Sequence, residues 1–371
     1  MTSATSTDDD ALHETAAAPC GFASLPLDLI STHILRSDFL PEPGDLRSLR
    51  AVSKSMRDAV DATGREIKKL SDDEALDLGY VSLLKDRHSR GLLLSGKRHY
   101  PCTAAARNGD LEALKALRAE SLPWSWRTCQ YAAKNGHLEV LIWAHENGCP
   151  WNEWTCSAAA EAGHLEVLKW ARENDCPWNL STCAYAAKGG HLEVLMWAHE
   201  NGFSMCSMGL ETCENAARYG HLEVLKWAHE NGCWWREETC ANAAEGGHLE
   251  VLKWARENGC PWDRRTCAYA AEGGHLEVLM WAHENGCPWN EDPCKYAAVH
   301  GHLEVLKWAR ANGCPWHECT CVYAAQGGHL EVLKWARENG CPWDEYTCES
   351  AARGGHLEVL KWARENGCPW D

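Results

Sequence analysis

A short pattern of apolar positions recurs along most of the chain. In one copy, Cys156, Ala159 and Ala160 fall at i, i+3 and i+4, which places them on one face of a helix. Gly163 ends this helix, and a second apolar stripe follows in residues 165–171, Leu-Glu-Val-Leu-Lys-Trp-Ala. A Cys-Pro-Trp turn then redirects the chain. The pattern of each copy therefore predicts two short helices joined by tight turns. Thr155 is the expected N-cap of the first helix in this copy.

The copies are marked by the string Gly-His-Leu-Glu-Val-Leu. Its histidines are His137, His164, His191, His221, His248, His275, His302, His329 and His356. The spacing is about 27 residues, except for one step that is about three residues longer and spans residues 203–210. Counting the first copy, which has Asp110 in place of His, about ten copies fill residues 101–371. Two helices cannot bury such broad apolar faces alone, so the copies must stack, with the tryptophans of the second helices buried between them.

The pattern resembles a known repeat family. Residues 347–362 read Thr-Cys-Glu-Ser-Ala-Ala-Arg-Gly-Gly-His-Leu-Glu-Val-Leu-Lys-Trp. This is similar to the ankyrin repeat, Thr-Pro-Leu-His-x-Ala-Ala-x-x-Gly-His-Leu-Glu-Val-Val-Lys-Leu-Leu, although Cys replaces its Pro and the period falls short of about 33 residues. The resemblance implies an all-α solenoid of helix pairs with reduced hairpin loops, which binds protein on its concave face. Similar short-repeat ankyrin proteins are abundant in protists and giant viruses.

The N-terminal part has a different character. Residues 1–20 are rich in Ser, Thr, Asp and Ala, a composition typical of a disordered tail. Residues 21–62 carry Leu-Pro, then Ile-Leu, then Asp-Leu-Arg-Ser-Leu-Arg-Ala-Val-Ser, and they resemble an F-box, with Met56 where that family commonly has Trp. The resemblance implies contacts with a Skp-type adaptor of a cullin-RING ubiquitin ligase through Leu25, Pro26, Ile34, Leu35, Leu46, Leu49 and Val52. The alternative is a helical cap that packs these side chains on the first repeat. Residues 63–100 are expected to form a helical linker, with helices over 66–70 and 73–90.

Charge and hydropathy exclude several classes of function. Lys and Arg number 36 against 53 Asp and Glu, a formal charge of −17, which argues against a nucleic-acid surface. No apolar run reaches the length of about 18 residues that a membrane span needs, and the N-terminal residues do not read as a signal or organelle-targeting peptide. The expected location is the cytoplasm, or the nucleus, where thiols stay reduced. The 21 cysteines therefore do not indicate a disulfide framework.

Two Cys and one His in each copy, such as Cys156, His164 and Cys176, raise the question of metal binding or catalysis. The spacing lacks the close Cys pair of a zinc knuckle, and helices about 8 to 10 Å apart keep the cysteines of successive copies from sharing an ion. The cysteines are interpreted as small buried hydrophobic residues. Near-identical copies of an active site would also be unusual, because catalytic groups normally depart from their scaffold. No metal, cofactor or catalytic residue is expected.

Positions that differ between copies are the best candidates for recognition. They follow the Cys and the Ala-Ala of each first helix and share the face opposite the buried one. The target-binding candidates are Gln130, Tyr131, Lys134, Tyr185, Lys188, Glu214, Arg218, Tyr219, Tyr269, Tyr296 and Tyr323. Tyrosines on a rigid groove make good contact residues. The alternative is that each Tyr only covers the turn of its neighbour. The expected function is a non-catalytic protein-binding scaffold that serves as substrate receptor of an SCF-type ubiquitin ligase, and the alternative is a plain ankyrin-repeat binding protein.

Overall fold

A computed structural model of the chain describes residues 70–202, 210–317 and 319–369. These residues form helices joined by tight turns, without a β-strand among them. The chain divides into two compact units. Of the described residues, the first unit holds 70–105 and 117–123, and the second holds 106–116 and the remainder from 124 onward.

The first unit begins with α1 (Asp72–Asp77) and α2 (Val81–Ser89), followed by a 3₁₀ turn at Ser95–Lys97. Ser71 caps α1: its hydroxyl accepts from the amide of Glu74, whose carboxylate accepts from the amide of Ser71. The single helix expected over residues 73–90 is therefore wrong. Gly79 adopts a φ of 70°, a left-handed conformation that ends α1 and starts a new helix in a different direction. The helix expected over 66–70 lies outside the described residues except for its last position.

The first repeat copy contains α3 (Tyr100–Asn108) and α4 (Leu111–Ala119), which are shared between the two units. Each later copy adds a first and a second helix. The first helices are α5 (Trp126–Lys134), α7 (Glu153–Glu161), α9 (Leu180–Gly189), α11 (Leu210–Arg218), α13 (Glu237–Glu245), α15 (Arg264–Glu272), α17 (Asp292–His300), α19 (Thr320–Gln326) and α21 (Glu345–Arg353). The second helices are α6 (Leu138–Glu146), α8 (Leu165–Glu173), α10 (Leu192–Glu200), α12 (Leu222–Glu230), α14 (Leu249–Glu257), α16 (Leu276–Glu284), α18 (Leu303–Ala311), α20 (Leu330–Glu338) and α22 (Leu357–Glu365).

The first helices start earlier than the sequence predicts. In α7 the N-cap is Asn152, whose side chain accepts from the amide of Trp154 at 3.2 Å, and Thr155 is a buried residue inside the helix. Thr155 as N-cap is therefore wrong. Asn152 has the extended backbone that a cap requires, and its carboxamide oxygen satisfies an amide that has no helical partner.

The buried residues recur at the same positions of successive copies, as the sequence pattern does. Cys156, Ala159 and Ala160 of α7 are fully buried, as is Leu168 of α8. From α5 onward, each second helix packs on the first helix of its own copy, and first helices of neighbouring copies pack closely side by side. Neighbouring second helices touch much less. The small Cys and Ala side chains explain this difference, because they allow the first helices to approach one another.

The tryptophans of the second helices are half-buried rather than buried, so their predicted burial between copies is wrong. Trp254 lies edge-on to Trp235 of the preceding turn, with ring centroids 5.7 Å apart, and edge-on to His229 of the previous copy at 6.0 Å. Trp254 therefore packs against the turn before its helix and keeps part of its surface exposed.

The recurrent Gly-His pair joins neighbouring copies. His302 lies at the N-terminus of α18, and its Nε2–H donates to the carbonyl of Glu272 in the previous copy at 2.9 Å. His191 makes the same bond to Glu161 at 3.0 Å. A Cβ placed on Gly163, whose φ is 76°, would lie 2.4 Å from Nδ1 of His191. The histidine therefore joins copies, and the glycine makes room for its ring.

We expect the array to lose stability as the pH falls through about 6.5. Burial lowers the pKa of His248 and of His302 below the ordinary value of 6.5, so protonation of these rings is less favourable in the folded chain than in the unfolded chain. As the pH falls through about 6.5 the unfolded chain binds more protons at these rings than the folded chain does, and the free energy of unfolding declines. Urea unfolding at pH 7.5, 6.5 and 5.5 measures this slope. His302→Gln, which keeps an N–H donor without a titrating ring, should flatten it; an unchanged slope would contradict this explanation.

Candidate protein-binding face

A groove crosses the first helices α5, α7 and α9 on the side opposite the buried Cys and Ala residues. Its volume is about 270 Å³, and it is lined by Gln130, Lys134, Trp154, Ser157, Ala158, Glu161, Tyr185 and Lys188. Four of these are residues that sequence variation between copies singled out. We call this side of the row of first helices the first-helix face.

Trp154 was missed by sequence reasoning. It is 40% exposed, and its ring lies edge-on to Tyr185 with centroids 6.0 Å apart. The equivalent residue is Arg127 in the preceding copy and Ser181 in the following one. The position therefore varies between copies as the selected ones do, and the same criterion applied one turn earlier in the helix would have found it.

Lys188 is the centre of a charged and aromatic cluster. Its Nζ lies 2.7 Å from Oε1 of Glu161 and 5.7 Å from the ring centroids of both Tyr185 and Tyr219. The hydrogen bond to Glu161 raises the pKa of Lys188, so the ammonium stays charged. Tyr219 is 43% exposed. The cluster thus presents a fixed cation between two aromatic rings, one of which is open to a partner.

A second cluster of this kind lies further along the row. Lys295 is 5.0 Å from the ring centroid of Tyr296 and 5.5 Å from that of Tyr323. Tyr131 and Tyr269 are half-buried on their own first helices, and burial raises the pKa of Tyr269. Lys295 therefore lies between a tyrosine of its own copy and one of the next copy.

The charges of the first-helix face are paired between copies. Arg218 forms an ion pair with Glu245 of the next copy. Glu214 lies 3.5 Å from Arg236, which also belongs to the next copy. Because opposite charges meet at partly exposed sites, each pair adds little stability, but together they leave the face nearly neutral. The aromatic rings are therefore the main chemical feature of the face.

The turns and second helices form a separate band on which a cationic or imidazole side chain covers a tryptophan. The guanidinium of Arg256 lies 4.1 Å from the ring centroid of Trp262, and His229 stacks on Trp235 at 3.7 Å. Arg172 and Trp178 repeat the arrangement at 4.4 Å. This band was not predicted, because the two partners of each pair lie six residues apart and meet only through the turn after the second helix.

In the part of the chain that the structure describes, no group of three or more His, Cys, Asp or Glu residues is placed to hold a metal ion. The described cysteines are buried, apart from half-buried Cys319. Within the same ranges, no helix has both the length and the apolar character that crossing a membrane requires.

Comparison with known proteins identifies the repeats. Residues 183–229 and 294–337 match the family model of ankyrin repeats in many copies. Those two segments carry ankyrin repeats. The crystal structure of the human ASB11 ankyrin repeat domain is similar at 19% identity and a TM-score of 0.38, over 49% of this chain and 96% of that one. No curated protein matches the chain in sequence. The prediction of an all-α array of ankyrin-type helix pairs is confirmed.

The residues predicted to contact a Skp-type adaptor lie outside the described residues. These are Leu25, Pro26, Ile34, Leu35, Leu46, Leu49 and Val52. The longer step between copies, residues 203–209, lies outside them as well.

Proposed function

We propose that the chain is a non-catalytic scaffold that binds a protein on its first-helix face and presents it to a ubiquitin ligase. Ankyrin repeats imply a protein–protein interaction scaffold, and proteins built from them are typically not enzymes. The observation that carries the proposal is the groove of Trp154, Tyr185 and Lys188, which joins exposed aromatic surface to a fixed charge. Tyr and Trp are the residues that most often dominate binding energy at protein interfaces.

The first-helix face is the better candidate for two reasons. Its residues differ between copies, so the groove presents a unique surface, whereas the band of turns and second helices repeats almost unchanged. The tryptophans of that band are also covered by Arg and His side chains of the chain itself. A partner would have to displace those contacts before it could bind there.

The role in a ubiquitin ligase is supported by the F-box-like pattern of residues 21–62. In this arrangement, the N-terminal module recruits a Skp-type adaptor and cullin, and the repeats hold the target. The plain ankyrin-repeat binding protein, with residues 21–62 as a helical cap, is the competing function. It requires the same binding face but no ligase subunit.

Removing the indole of Trp154 should weaken target binding by roughly 2 kcal/mol, about 30-fold, because an exposed Trp in a groove is a typical interface anchor. The intact chain and the Trp154→Ala variant are each affinity-purified from their own cells, and recovered proteins are quantified by mass spectrometry. Trp234→Ala is the matched control, since Trp234 is 75% exposed but lies on a turn between copies. Loss of the same partner from the Trp234 variant alone would show that the target binds the band of turns instead.

A further inference from the structure

The two cysteines of a repeat copy meet in space, although 20 residues separate them. Sγ of Cys213, on α11, lies 2.7 Å from Sγ of Cys233, which follows α12. Both residues are buried, with 0% and 4% of their surfaces exposed. Sequence spacing did not predict this contact, because the turn between the helices folds the end of the second helix back beside the start of the first.

The arrangement recurs in other copies. Sγ of Cys156 lies 4.0 Å from the carbonyl oxygen of Cys176, and Sγ of Cys294 lies 3.9 Å from that of Cys314. In each case the cysteine of the first helix points at the cysteine after the second helix. The equivalent pairs in the described residues are Cys129/Cys149, Cys156/Cys176, Cys213/Cys233, Cys240/Cys260, Cys267/Cys287, Cys294/Cys314, Cys321/Cys341 and Cys348/Cys368.

In several pairs the two thiols differ in proton affinity. The hydrogen bond between the two sulfurs lowers the pKa of Cys233 and raises the pKa of Cys213. The same directions hold for Cys341 and its partner Cys321. In these pairs the cysteine after the second helix is therefore the easier one to ionise, which makes it the better nucleophile. In the Cys156/Cys176 pair the direction is reversed, because the hydrogen bond to Cys156 raises the pKa of Cys176.

The geometry favours a disulfide over a metal. Two thiols without a third ligand do not make a structural zinc site, and the described residues offer no such ligand. A disulfide needs the sulfurs to approach to about 2.05 Å, which the observed contact requires little movement to reach.

We propose that these pairs are dithiols that a peroxide converts reversibly into disulfides within single copies. The thiolate of Cys233 attacks hydrogen peroxide and becomes a sulfenic acid, releasing hydroxide. The Cys213 sulfur then attacks that sulfenic sulfur, and water leaves. Overall, two thiols and one peroxide give one disulfide and two waters. The bond ties the first helix of a copy to the turn after its second helix, so each copy becomes a closed loop that a thiol reductant reopens.

The test uses the intact reduced chain in its folded state. It is treated with hydrogen peroxide equimolar to the pairs, quenched with N-ethylmaleimide in denaturant, and mapped by mass spectrometry without reduction. We expect linked peptides within copies, Cys213 with Cys233 and the equivalent pairs, each lacking two hydrogen atoms and restored by dithiothreitol. Cys102 is the natural control, because Leu122 occupies the place of the second cysteine in its copy. Its peptide should be recovered alkylated.

Three outcomes would overturn the proposal. The first is that disulfides form mainly between different copies or different chains. The second is that Cys102 becomes oxidised under conditions in which the pairs are recovered alkylated. The third is that the paired cysteines are over-oxidised without forming disulfides. Cys233→Ala adds an independent arm. In that variant Cys213 should be recovered alkylated while Cys240 and Cys260 still link, whereas a link from Cys213 to another cysteine would show that pairing is not local.

Discussion

Alanine at both Leu25 and Pro26 is expected to abolish co-purification of the intact chain with a Skp-type adaptor and cullin. An F-box binds its adaptor by burying a small set of apolar side chains, and truncating central residues of such a set costs about 2 to 4 kcal/mol each, so recovery should fall at least 100-fold. The measurement is affinity purification followed by quantification of the ligase subunits. Disruption of the helix that carries Leu46, Leu49 and Val52 should have the same effect.

The control variant replaces the same two residue types at positions outside the F-box-like segment. In it, Leu12 and Pro19 of the preceding tail are changed to alanine. Adaptor binding should survive there, and in both variants the array should keep its helicity and its target, because contacts in a repeat array are local. If the unmodified chain never associates with a ligase subunit, the receptor function fails and the plain scaffold remains.

The second large effect is expected in the core. Leu252→Ala should lower the free energy of unfolding by about 3 to 5 kcal/mol, because Leu252 is fully buried and closely packed neighbours cannot fill the cavity. Because the copies of a repeat array stabilise one another through their interfaces, the loss should also shorten the stretch of repeats that unfolds together. Chemical denaturation followed by circular dichroism measures both effects.

Leu180→Ala is the matched control for the core variant, since Leu180 is 47% exposed at the start of a first helix. It should cost less than about 1 kcal/mol. Similar losses from the two variants would mean that the second helices do not provide the core that the burial pattern indicates.

Much of the fold could be predicted because it is local. The apolar spacing of residues 156–171 specifies two helices and their buried faces, and the repetition of that spacing specifies stacking. The predictions were wrong where residues outside the apolar pattern determine where a helix begins or ends. Asn152 rather than Thr155 caps α7 because the conformation of the turn determines the cap, and Gly79 divides a helix that periodicity alone would continue.

The candidate site was predictable only in part, for the same reason. Variation between copies led directly to Gln130, Lys134, Tyr185 and Lys188, which do line one groove. It could not show that Glu161 of the previous copy holds Lys188, nor that the cysteines of one copy meet. Those contacts depend on the register between helices, which the spacing within one copy does not specify.

The most direct test of the proposed scaffold is cross-linking mass spectrometry of the intact chain bound to its protein target, with a lysine-reactive reagent. Lysines occur on both sides of the array at similar exposure: the side chain of Lys188 on the first-helix face is 35% exposed and that of Lys226 on a second helix is 34% exposed. We expect cross-links to the target from Lys134 and Lys188. Cross-links that start mainly from Lys226 and the other second-helix lysines would contradict recognition by the first-helix face.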